Sequence, residues 1–110
     1  PKEYVDKVAG EVKEIWDHGE IRKLTDYTVV DFVKFQNLIA DVRKNGYAMD
    51  NEENELGVRC IAVSLKGLHR KPSYAISVSA PKDRMDDARM EQFTHLILDT
   101  KQRIQNELGN

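Results

Sequence analysis

Two alternating segments, residues 58–65 and 74–80, constrain this chain most, because large and small side chains take turns along both. Successive side chains on a strand point to opposite faces, so each segment separates into two sets. In the first, Arg59, Ile61, Val63 and Leu65 form one set, and Val58, Cys60, Ala62 and Ser64 the other. In the second, Tyr74, Ile76, Val78 and Ala80 stand opposite Ala75, Ser77 and Ser79. Paired in register, these strands make a sheet with one aliphatic face and one face of small, weakly polar residues. The aliphatic face calls for helices to cover it. The small face fits solvent contact or tight packing, or else the floor of a pocket whose hydroxyls orient a polar ligand. A wet face normally collects Lys, Glu and Thr. Cys, Ala and Ser suit an enclosed surface better.

The rest of the chain supplies the cover. Tyr4, Val5, Val8, Val12, Ile15 and Trp16 recur at helical spacing, with Gly19 as a stop, and Trp16 reads as core. Residues 24–30 read as loop or extended chain. Asp31 is placed to cap a second helix, whose apolar stripe is Phe32, Phe35, Leu38, Ile39 and Val42 and whose end is Asn45-Gly46. A short strand at 47–50 and an acidic loop at 51–56 precede the two alternating segments. The connection 66–73, with Gly67 and Pro72 as turn residues, is too long for a tight hairpin turn. A long last helix is expected over 86–108, burying Phe93, Leu96, Ile97, Ile104 and Leu108, with Gly109 beyond its end. The order argues an α+β fold, with helices on one antiparallel sheet.

With 110 residues, the chain is one domain or a piece of one. Its formal net charge of −2, with bases and acids interspersed, argues against a nucleic-acid grip within these residues. Apolar runs are far too short for a membrane span, and no signal peptide is visible. A single cysteine cannot form an internal disulfide and fits a cytoplasmic location.

Catalytic and metal chemistry find little footing. His18, His69 and His95 share no zinc-ligand spacing, and the run Asp50, Glu52, Glu53 and Glu55 lacks the alternation and central Gly of a calcium loop. No histidine lies near Cys60 in sequence, and a mid-strand cysteine usually behaves as a small hydrophobe. No enzyme, cofactor or metal site is expected.

The segment GYAMDNEENELGVRCIAVSL, residues 46–65, resembles the most recognisable stretch of the effector domain of IclR-type bacterial transcriptional regulators. AISVSAP at 75–81 is similar to a second motif of that family, and so are Thr25-Asp26-Tyr27-Thr28 and the arginines Arg84 and Arg89 around Met85. The departures are Ser64, where the family often has Pro, and Ala80, where it usually has Gly. The resemblance implies a GAF-like sensing domain, of which residues 1–110 are a part, following a winged helix-turn-helix domain outside this chain. It further implies that the first strands and a Gly-rich loop of the sensing fold lie before Pro1, leaving a sheet edge open to a neighbour. By the same resemblance, Asp50, Val58, Cys60, Ser77 and Ser79 contact a small carboxylate, sugar acid or aromatic effector, in a homo-dimer or tetramer. Asp50 either accepts from a ligand hydroxyl or steers a turn. An oligomerisation module without a working pocket, or a small enzyme using Cys60, are the alternative readings.

Overall fold

The computed structural model describes residues 2–66 and 72–108; the side chains of residues 2–6, 8, 9, 72 and 73 are not described. Helix α1 runs Lys2–His18 and helix α2 Phe32–Asn45. Strands β1 (Ala48–Asn51), β2 (Val58–Lys66) and β3 (Pro72–Pro81) follow. A 3-10 turn, Lys82–Arg84, leads into the long helix α3, Asp87–Glu107. The strands form one antiparallel sheet in the order β1-β2-β3. This is the α+β arrangement that the alternation and the helical spacing imply. The expected turn around Gly67, His69 and Gly109 all lie outside the described residues, as do the Tyr4, Val5 and Val8 side chains. Among the described residues, no helix is long and apolar enough to cross a membrane.

Helix boundaries follow local chemistry. The Asp31 carboxylate accepts from the Val33 N–H at 3.2 Å, and Asp86 accepts from the Arg89 N–H at 2.8 Å. Each cap satisfies a first-turn donor that has no partner inside the helix. At the other end of α2, Gly46 takes φ +84° and its N–H reaches the Val42 carbonyl. That left-handed conformation strains any residue with a Cβ.

The core sits on the aliphatic face. Ile61 and Val63 of β2 pack with Met85, Met90 and Ile97; Leu65 is also buried, and Ile61 fully so. Burying each such side chain contributes roughly 1.5–3 kcal/mol. Helix α3 lies across β2 on this face, while Met49, Tyr74 and Val78 on the flanking strands stay exposed.

The expected helix stripes need correction. On α3, Met90, Thr94, Ile97 and Gln105 are buried, whereas Leu96 and Leu108 are exposed. Two of the buried positions are polar, and each is satisfied. The Thr94 hydroxyl donates to the Met90 carbonyl, and the Gln105 amide both accepts from and donates to the Lys66 backbone. Gln105 thus repairs the ladder beside the register irregularity at Leu65/Lys66. A buried polar group with partners costs little, so the true stripe is invisible to an apolar count. Ile15 and much of the α2 stripe are likewise exposed, and α2 buries no residue fully. Trp16 is no part of the sheet core. It stacks on Phe35, centroids 4.8 Å apart, and tilts against Phe32, tying α1 to α2.

Candidate functional site

The register assembles the five expected site residues on one face. Asp50, Cys60 and Ser79 form a single cross-strand row; Ala48, Ala62 and Ser77 form the parallel row two residues along, and Val58 pairs with Pro81. All five lie opposite Ile61, Val63, Ile76 and Val78. Ser77 does not pack among the helices. Strand β3 continues through Ala80 and Pro81, so the departure from Gly at Ala80 leaves the pairing intact.

The enclosure expected from composition is absent among the described residues. Ser77 and Ser79 are exposed, and Asp50, Val58 and Cys60 are half-buried. Helix α3 occupies the other face, and neither α1 nor α2 packs extensively on the sheet. The composition therefore describes a floor, and this chain supplies little of a roof.

Asp50 has a defined task in the loop between β1 and β2. Its carboxylate accepts from the Glu53 N–H at 2.9 Å, which shapes the turn. Glu52 sits at φ +61° and accepts from the Gly57 N–H. Its second carboxylate oxygen meets Lys82 at 3.2 Å. The Gly57 N–H and, after it, the Lys82 ammonium hold the Glu52 carboxyl below the usual carboxylate range. Burial pushes the Glu53 carboxyl up, and the Asp50 carboxylate adds to this, against the opposing pull of the Asn51 and Val29 N–H groups.

Sequence reasoning missed two devices that fix this loop. The Thr25 hydroxyl donates to the Glu52 carbonyl at 2.6 Å, and the Thr28 hydroxyl donates to the Glu53 carbonyl. Thr28 also accepts from the Leu24 and Thr25 N–H groups. Paired threonines in a turn are the available signal, since such hydroxyls favour local backbone bonds. Arg59 is the second device. Its side chain is only 11% exposed; it donates to Asn51 Oδ1 and the Met85 carbonyl, and pairs with Asp87. One guanidinium thereby joins β1, β2 and the start of α3.

A cleft of about 580 Å³, lined by none of the five residues but reaching Ala48 of the small face, is walled by α1, α2, the loop between them and the start of β1. Among the described residues, the Cys60 thiol has one hydrogen-bond partner, the Ile61 carbonyl at 3.8 Å. Among the described residues, no three His, Cys, Asp or Glu side chains could hold a metal together.

The chain matches a family of known proteins over nearly its whole length. Residues 5–106 fit the model of the bacterial transcriptional regulator IclR C-terminal domain. The chain belongs to the IclR family. The DNA-binding transcriptional repressor YiaJ of Escherichia coli is 38% identical over 100 residues, which are 89% of this chain and 36% of that protein. The C-terminal domain of E. coli KdgR superposes with a TM-score of 0.80 at 28% identity, covering 93% of this chain and 62% of that one. The inducer-binding domain of a PobR double mutant from Acinetobacter, solved with 3-hydroxybenzoic acid, gives a TM-score of 0.78 at 26% identity over 88% of this chain. These relatives are transcriptional regulators, not enzymes. The chain spans about a third of the length of the curated IclR-family proteins it matches.

Proposed function

We propose that this chain is part of the effector-sensing domain of an IclR-family regulator, with Asp50, Val58, Cys60, Ser77 and Ser79 on the effector site. The observation that carries the reading is the register, which brings all five to one face from three strands. The effector class is a small organic acid, a sugar acid or an aromatic acid. The Ser77 and Ser79 hydroxyls and the Cys60 thiol are donors suited to a carboxylate, and Val58 offers an apolar contact. Asp50 steers the acidic loop, since one of its oxygens already holds the Glu53 N–H. A charged Asp50 in direct contact with a ligand carboxylate would be repulsive, which also supports that role. PobR, whose inducer-binding domain was solved with a hydroxybenzoic acid, is a precedent for the ligand class in the family.

Effector binding would shift the population of a homo-oligomer, and so alter DNA binding by a winged helix-turn-helix domain elsewhere in the cytoplasmic parent protein. The openness of the small face favours a second reading, an oligomerisation module with no working pocket. Thermal shift of the parent protein against 3-hydroxybenzoate, gluconate and pyruvate separates the two. An acid held at 100 times its Kd should stabilise by about 2.7 kcal/mol. The Ser77→Ala/Ser79→Ala double variant should lose that response. Stabilisation by none of the acids supports the module, and turnover of any of them would sink both readings.

A further inference from the structure

We propose that the cleft between α1, α2 and β1, which meets the small face at Ala48 but is lined by none of the five effector-site residues, is a second ligand site and takes a hydrophobic organic amine. Its volume of about 580 Å³ lies in the range of sites for small organic molecules. Trp16, Phe35 and Tyr47 give it an aromatic wall. Its charged side chains are Glu20, Asp41 and Glu53 against Arg22, three carboxylates to one guanidinium. That balance repels an organic anion and attracts a cation, and aromatic faces add a further attraction for ammonium groups.

The same aromatic cluster already accepts an ammonium. Lys13 Nζ stands 4.6 Å from the centroid of Phe32, the ring packed against Trp16 and Phe35. Lys13 is completed there by Asp17, at 2.8 Å, so a cation set between an aromatic ring and a carboxylate is the local pattern. The cleft repeats those ingredients with Tyr47 and Glu53. Burial and the Asp50 carboxylate push the Glu53 carboxyl up, and an ammonium bound beside it would favour its charged form.

Trp16 is the only tryptophan of the chain and lines the cleft, so its fluorescence reports directly on occupancy. The probe is 2-phenylethylamine at neutral pH, compared with 2-phenylethanol and 3-phenylpropanoate, which carry the same ring with no charge and with the opposite charge. The amine should give a saturable change and bind about fivefold or more tighter than the alcohol, with the acid weakest. Glu53→Gln should weaken the amine about threefold and leave the alcohol unchanged. Equal affinity for the three probes, tightest binding of the acid, or no saturable change with the amine would overturn the proposal. So would amine binding indifferent to Glu53→Gln in a variant that melts like the parent chain. The Ser77→Ala/Ser79→Ala variant should titrate normally with the amine, so failure here leaves the acid-sensing reading standing, and the reverse.

Discussion

Ile61 and Cys60 are neighbours on β2, yet Ile61 is sealed beneath α3 while Cys60 stands half-buried on the face that α3 leaves open. The aliphatic face is covered at its centre, over β2, from within this chain, while Met49, Tyr74 and Val78 on the flanking strands stay exposed. A single helix, a buried methionine at the turn before it and a half-buried arginine of β2 that reaches its start supply that cover. The small face has its floor here and no comparable cover. One face serves the stability of these residues, and the other serves a surface or a ligand. Sequence distance says nothing of this division, because alternation places the two roles one residue apart.

The largest expected effect tests that division directly. Ile61→Ala should destabilise the chain by about 3–4 kcal/mol in urea melts, through lost burial and a residual cavity. Cys60→Ala, one residue along, should cost less than about 1 kcal/mol. Comparable losses would mean that both faces carry the core.

Next comes the staple at the rim of the covered face. Arg59→Ala removes charge-assisted bonds to the Met85 carbonyl and Asn51, and should cost about 2–3 kcal/mol. Arg59→Lys should recover only part of this, because an ammonium cannot serve both acceptors in a fixed fork. Full recovery by lysine would reduce the role to charge alone.

Gln105→Leu is more modest, at about 1–2 kcal/mol, since it leaves the Lys66 N–H without its 2.8 Å acceptor at a register irregularity. Faster hydrogen exchange at Lys66 in that variant is the direct reading. Unchanged protection there would show that Gln105 merely fills space.

The smallest effect belongs to the loop on the small face's margin. The Glu52 carboxyl titrates below its ordinary range in the folded chain, so its bonds to Gly57 and Lys82 stabilise above the unfolded value. That contribution is lost as pH falls through the lowered folded value. Glu52→Gln should therefore lower the melting temperature slightly near neutral pH, and the difference should vanish in acid. A difference that persists or grows in acid would assign Glu52 a purely steric role.

Much of this was legible beforehand where a local rule decides it. The alternation in β2 and β3 predicts which residues share a face, and the register places Val58, Cys60, Ser77 and Ser79 together as expected, with Asp50 of β1 in the same row as Cys60 and Ser79. Asp31 and Gly46 announce the ends of α2 for equally local reasons. The buried side of α3 was not legible. Counting apolar residues selects Leu96 and Leu108, whereas Thr94 and Gln105 are buried because each finds hydrogen-bond partners there.

By itself, then, the sequence determined strand phase, helix caps, the α+β class and the family, since these depend on residues close together in the chain or on recurrent motifs. Only the tertiary structure decided that Arg59 is a half-buried staple, that Thr25 and Thr28 clamp the acidic loop, and that the small face lies open among the described residues. It also decided that a cleft of about 580 Å³ forms beside β1 and not over Cys60. The partners in these cases are some 25 to 30 residues apart, or belong to different elements. No local pattern encodes which carbonyl a distant hydroxyl or guanidinium will meet, because that depends on how the elements pack.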